Sequence, residues 1–206
     1  MSDGRTERAR ALREERQAQI LTAALQTFAD KGYHGASITD IVEAAGVARG
    51  TFYLYFDSKN AVFLELLEQL LTGFRHGIIG VDVSPEAPPL LDQLVGTIER
   101  LLLAATSSRA VATLIFRETG VLDPEVQERV LDFEQRLHTY VEDALARGVR
   151  LGLLRQHDTD VVATCVYGAI RQVLYRYVVV AAEAEPDLHA IAREVVVFSL
   201  QGVLRT

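Results

Sequence analysis

Apolar residues recur along most of this chain at the spacing of one helix face. Ile20, Ala24 and Phe28 stand four apart, with Leu21 and Leu25 beside them, which predicts a first helix. Lys31-Gly32 closes it, because glycine suits a left-handed cap. Ser37-Ile38-Thr39-Asp40 reads as an N-cap with an acidic residue three positions on, and Ile41 to Ala45 follow as a short helix that stops at Gly46. Val47 to Tyr55 make a third short helix. Asp57-Ser58 cap a fourth, whose apolar positions are Val62, Phe63, Leu66, Leu67 and Leu70.

The stretch from Val81 to Pro89 holds three of the five prolines and reads as a linker or loop. Beyond it Leu90, Leu94, Ile98, Leu101 and Leu102 repeat at helical spacing, and Val111 to Phe116 form a shorter apolar piece. Asp123-Pro124 predicts a helix start, Asp as cap and Pro in the first turn, with Val126, Val130, Phe133, Leu137 and Tyr140 on one face. Two more helices are expected, from Asp158 to about Ala182 and from Pro186 to about Leu204. No strand alternation and no internal repeat interrupt this pattern, so the fold class is all-α.

Composition narrows the setting. The chain has 206 residues and a single cysteine, Cys165, which cannot form an intrachain disulfide or a thiolate zinc site. The Arg- and Glu-rich stretch from Met1 to Arg16 lacks the apolar core of a secretory signal. No run approaches the roughly 18 apolar residues of a membrane span, so a soluble, cytoplasmic protein with no membrane partner is expected. Residues 1–56 carry seven basic and seven acidic side chains, whereas residues 57–206 carry 14 and 21. An anionic partner therefore belongs to the first part, where a basic face must come from arrangement. Arg5, Arg8, Arg10, Arg13 and Arg16 form either a solvated leader or an arm touching nucleic-acid backbone.

The short helices carry the strongest functional signal. A helix-turn-helix needs two steeply crossing helices, a tight turn tolerating positive φ, and small or apolar residues at the crossing. Ile41, Ala45, Gly46, Val47 and Phe52 meet those needs in order. An ordinary helical hairpin is the competing reading. Against it, Arg49, Thr51, Tyr53 and Tyr55 crowd hydrogen-bond donors onto a segment too short to be mainly structural.

Gly46-Val47-Ala48-Arg49-Gly50-Thr51-Phe52-Tyr53-Leu54-Tyr55-Phe56, followed by Asp57-Ser58-Lys59, resembles the recognition helix and following turn of TetR-type (TetR/AcrR) transcriptional regulators. Phe28-Ala29-Asp30-Lys31-Gly32-Tyr33 is similar to the end of that family's first helix. The resemblance implies a DNA-binding domain over about residues 14–74, with the helix-turn-helix at about 37–56, and an effector-binding and dimerisation domain over 75–206. It implies that Thr39 and Lys59 contact phosphates, that Tyr53 and Tyr55 do likewise, and that Arg49 and Thr51 lie nearest the base edges. Two positions depart from the family pattern. Ala48 stands where a capping serine is frequent, removing a cap worth about 1 kcal/mol, and Val42 stands where a smaller alanine is common.

Other polar residues are less decisive. His34, His76, His138, His157 and His189 are scattered, with no pair of histidines at i, i+4 and no carboxylate set repeated on a second helix, so no metal site is expected. Glu134 and His138 share a face and read as a solvated contact. Cys165 reads as a small core residue. In the helix from Asp158, Thr164, Tyr167, Arg171, Leu174 and Tyr175 fall on one side, which fits either a ligand pocket, with Arg171 meeting an anionic group, or the dimer seam. Arg117 and Tyr140 are further pocket candidates. Val161, Val162, Cys165, Val166, Ala169, Ile170 and Val173, with Ile191, Val195, Val196, Phe198 and Leu204, exceed what one face can bury and predict a homodimer.

The combined expectation is a transcriptional repressor, not an enzyme and without cofactor. It would leave a palindromic operator in double-stranded DNA when a small hydrophobic effector binds. The alternative is a helical carrier or enzyme for an apolar small molecule without DNA binding.

Overall fold

The computed structural model describes residues 3–118, 123–181 and 185–201, the side chains of 3–5, 117 and 118 excepted. Its helices are α1 (Asp3–Gly35), α2 (Ile38–Ala45), α3 (Arg49–Phe52), α4 (Lys59–Gly77), α5 (Leu90–Ser107), α6 (Arg109–Glu118), α7 (Pro124–Arg150), α8 (Thr159–Tyr175) and α9 (Leu188–Gln201). A π-helical turn, Arg176–Val180, extends α8. Among the described residues there is no strand, and no helix is long and apolar enough to cross a membrane.

The head forms as its caps dictate. Gly32 takes φ 70° and ψ 166°, breaking the helical path, and the next residue, Tyr33, is buried. Ser37 Oγ accepts from the Asp40 amide while the Asp40 carboxylate accepts from Ser37, a reciprocal capping box. Gly46 ends α2 at φ 62°, the left-handed conformation glycine adopts without steric cost. Phe28, Tyr33 and Phe63 then close an aromatic core, with Phe28 and Phe63 centroids 5.8 Å apart and Tyr33 and Phe63 5.0 Å apart.

The third helix is shorter than Val47 to Tyr55. Regular helix spans Arg49–Phe52, after which the Leu54 and Tyr55 amides donate to the carbonyls three residues back, tightening the chain into a turn. The tightening brings Phe56 inward beside Phe52, their rings 6.0 Å apart and both buried.

The body follows the predicted periodicity. Val95, Ile98, Leu101 and Leu102 of α5 and Val126, Val130 and Phe133 of α7 are buried. α5 packs chiefly on α9, and α7 on α8. α7 and α8 run antiparallel, since Glu134 meets Arg171 while His138 meets Thr164. The expected boundary at 74/75 falls inside α4, which runs unbroken from head into body.

Candidate DNA-binding surface and effector cavity

α2 is held on α1 by packing and by two bonds, from Gln19 Nε2 to the Ala45 carbonyl at 2.6 Å and from Lys31 Nζ to Asp40 Oδ1 at 2.6 Å, and α3 follows it through the Gly46 turn. On that support the helix-turn-helix presents a polar face. Thr39 is exposed in the first turn of α2, and Arg49 is exposed as the first residue of α3. The Arg49 guanidinium lies 6.0 Å from the Tyr53 ring centroid, so the cation and a 44% exposed tyrosine form one surface. Thr51 and Tyr55 are half-buried, and Arg13 of α1 lies 6.0 Å over the Tyr55 ring. Ala48 supplies no side-chain cap to α3.

Lys59 differs from a simple phosphate anchor. Its Nζ donates to the carbonyls of Tyr33 at 2.6 Å and Ala36 at 2.9 Å, and sits 4.4 Å over the Tyr33 ring. Two of the three ammonium donors are thus spent satisfying the end of α1. Partial burial lowers its pKa from the ordinary lysine value, with the Asp123 charge opposing. Lys59 is a strut of the head before it is anything else.

A cavity of about 450 Å³ lies between α4, α5, α6, α7, α8 and α9. Leu70, Leu71 and Phe74 of α4, with Ile78 just past its end, form one wall, with Phe116, Phe133 and Ile170 among the others. Glu134, Tyr167 and Arg171 line it together. Arg171 Nε donates to Glu134 Oε1 at 3.3 Å, and the guanidinium stacks 5.4 Å over Phe116. Burial, then the adjacent Glu134 carboxylate, raises the Tyr167 pKa, so the phenol stays protonated at neutral pH. Arg171 therefore faces the cavity, and so does Tyr140, whose hydroxyl donates to the Ile79 carbonyl at 3.3 Å. The Arg117 side chain lies outside the described residues.

Glu134 belongs to the cavity, unlike the solvated contact its sequence position suggested. The signal was present, since α7 carries Phe133, Leu137 and Tyr140 beside it on a face now known to line the cavity. Cys165 is exposed in the single chain, not in the core. It shares the outward side of α8 with Val161, which is 55% exposed, while Val166 and Ile170 turn to the cavity. Phe198 on α9 is 73% exposed. Leu204 lies outside the described residues.

A helix-turn-helix head joined through one continuous helix to a helical body with an apolar cavity defines a ligand-responsive, DNA-binding regulator. Residues 20–66 match the family described as bacterial regulatory proteins, tetR family, and residues 87–203 match the Tetracyclin repressor-like C-terminal domain. The chain belongs to the TetR family of transcriptional regulators. It is 56% identical over 54 residues to the HTH-type transcriptional regulator YvdT of Bacillus subtilis strain 168, a match spanning 26% of this chain and 28% of that protein. It is 24% identical over 189 residues to the fatty acid metabolism regulator protein of the same strain, covering 90% of this chain and 94% of that protein. The fold is shared with FadR from Bacillus subtilis, solved in complex with stearoyl-CoA, at a TM-score of 0.68, 22% identity and coverage of 90% and 98% of the two chains. The carrier or enzyme alternative has no counterpart among these matches.

Proposed function

We propose that the protein acts in the cytoplasm as a homodimeric repressor, released from a palindromic operator by a lipophilic effector of acyl type. The observation that carries this reading is the course of α4. The helix begins at Lys59, just after the turn that follows α3, and its last turns place Leu70, Leu71 and Phe74 in the cavity wall. A ligand seated in the cavity pushes on the helix that positions the DNA-reading surface. Its binding free energy then favours the head spacing that accommodates it.

The cavity volume lies within the range of small-molecule sites, and the mix of many apolar walls with a few polar groups is what such sites use. Arg171 and Tyr167 supply donors for an oxygen-bearing head group, and the apolar walls take its chain. The names of the fatty acid metabolism regulator and of the stearoyl-CoA complex agree with this chemistry. Homodimerisation draws support from the exposed Val161 and Phe198 on α8 and α9. It also suits palindromic DNA, where two heads must meet half-sites about 34–36 Å apart. Thr39, Arg49, Thr51, Tyr53, Tyr55 and Lys59 form the DNA-contacting set in this reading, which requires neither cofactor nor catalysis.

Selection of random duplex DNA at low salt, followed by titration of the bound complex with fatty acids and acyl thioesters, tests both halves. Enrichment of a palindrome and its release by an acyl ligand are expected. Failure to enrich a palindrome would refute the operator reading, whereas a palindrome insensitive to every acyl ligand would refute only the effector class.

A further inference from the structure

The α7–α8 seam carries a second polar cluster, outside the cavity lining. We propose that His138, Glu142 and Asp160 bind a divalent transition-metal ion that clamps α7 to α8. His138 and Glu142 stand at i, i+4 on α7, which places both on one face, and Asp160 enters from the first turn of α8. One ligand atom from each lies within 4.8 Å of the other two, and His138 Nε2 is 3.7 Å from Asp160 Oδ1. The Thr164 hydroxyl lies 3.0 Å from the same nitrogen.

Charge favours a cation here. Two carboxylates converge on one imidazole, and among the described residues neither Glu142 nor Asp160 has a lysine or arginine ion-pair partner. The imidazole side chain is only 18% exposed, so packing holds the ring, while the Asp160 side chain is 72% exposed and can rotate inward. Closing on an ion at about 2.0–2.2 Å from each ligand requires only that the carboxylates move. One nitrogen and two oxygens suit zinc, cobalt, nickel or manganese, and the imidazole disfavours calcium and magnesium. Three protein ligands leave positions for water, which marks an exchangeable site. The clamp would sit one helical turn along α7 from Glu134, bracing the hairpin that lines the cavity. The sequence pattern expected of a metal site is a histidine pair or a carboxylate set repeated on a second helix, whereas here one imidazole meets two carboxylates split between α7 and α8.

Titration calorimetry of chelator-stripped protein with Zn²⁺ and with Co²⁺ tests the site. One ion per chain is expected, with affinity reduced about tenfold or more in Asp160→Asn and in His138→Gln. His189→Gln, which removes an imidazole paired at 3.0 Å with Glu99 alone, should bind as wild type. Asp160 is exposed, so Asp160→Asn keeps the test valid even where His138→Gln fails to fold. No binding by the wild-type protein, or wild-type affinity in Asp160→Asn, would overturn the proposal.

Discussion

The hydroxyl of Tyr33, in the last turn of α1, donates to Oδ2 of Asp123 at 2.5 Å, which ties the DNA-binding head to the N-cap of α7. Asp123 holds the N-cap position of α7, yet its side chain makes no capping bond, because the carboxylate is turned toward Tyr33. Asn60 Nδ2 donates to Glu125 Oε2 at 3.0 Å beside it, a second polar bridge between the same parts. Burial, then the bond to Asp123, raises the Tyr33 pKa well above the ordinary tyrosine value, so the donor persists through the neutral range.

Removing that hydroxyl should loosen the link without emptying the core. Tyr33→Phe keeps the ring against Phe28 at 5.6 Å and Phe63 at 5.0 Å. A hydrogen bond to a charged group is worth about 1.5–3 kcal/mol, and partial exposure reduces the predicted loss to about 1 kcal/mol. We predict a modest fall in melting temperature, nearly unchanged operator affinity in the absence of effector, and a smaller effector-induced loss of that affinity. Unaltered effector response in binding assays would exclude this bond from transmission.

In the cavity, Glu134 limits what Arg171 can offer a ligand. Glu134→Gln preserves shape while removing the competing negative charge, so affinity for a fatty-acid anion is predicted to rise. Arg171→Ala should weaken the same ligand by about tenfold, the low end for one charge-assisted contact at a partly exposed position. Fluorescence displacement with a fatty acid and its neutral methyl ester reads both effects. Equal affinities of Arg171→Ala and wild type for the acid would move the head group away from α8.

How far the sequence alone reached follows from how local each feature is. Ser37, Asp40 and Gly46 act within a few residues of themselves, and α2 has the expected cap, length and stop. The recognition helix ended early because Phe56 must reach Phe52 in the core, a demand that lies beyond helical periodicity. Glu134 and Cys165 were misplaced for a related reason. Glu134 stands beside the single apolar face of α7, and Cys165 lies on a helix with apolar residues around much of its girth, so only the neighbouring helices decide which side chains meet the cavity. Arg171 had two open assignments for that reason, and in the single chain it lines the cavity beside Phe116 and Glu134. Lys59 read as a surface cation because its partners, the carbonyls of Tyr33 and Ala36, carry no side-chain signature.

Asp40 gives the head an acid-sensitive element. Its carboxylate accepts from Lys31 Nζ at 2.6 Å, from Ser37 Oγ at 2.7 Å and from the Ser37 amide at 2.9 Å. The Lys31 bond, then those from Ser37, hold its pKa well below the ordinary value of about 3.9. A carboxyl with a depressed folded-state pKa stabilises the protein above its unfolded pKa and loses that contribution as pH falls toward the folded value. Wild type should therefore melt above Asp40→Asn at pH 7, with the gap narrowing below about pH 4. A gap independent of pH from 3 to 7 would contradict this assignment.

Phe198 tests the dimer. A phenylalanine 73% exposed on α9, with Val161 exposed on α8, needs a partner surface in the proposed dimer. Phe198→Asp buries a charge in any such seam, so sedimentation at micromolar concentration should shift from twice the monomer mass toward the monomer. Operator affinity should fall with it. A wild-type monomer, or a dimer indifferent to Phe198→Asp, would place the contact elsewhere.

Arg49 and Lys59 should fail in different ways. Arg49 opens α3 with its guanidinium exposed, where it can bind guanine O6 and N7 together. Arg49→Ala is predicted to cost about 1–3 kcal/mol on the operator and to relax preference at one base pair per half-site, with melting unchanged. Lys59 has one ammonium donor left for a phosphate and two committed to the Tyr33 and Ala36 carbonyls. Lys59→Ala should therefore weaken operator and scrambled duplexes alike, reduce the salt slope by about one unit for each phosphate it ceases to neutralise, and also lower the melting temperature. Titrations of both duplexes at several salt concentrations, run beside thermal melts, separate these outcomes. Lost base preference in Lys59→Ala, or a uniform loss in Arg49→Ala, would reverse the roles of reader and anchor. A lower melting point with an unchanged salt slope in Lys59→Ala would leave that residue as a strut alone.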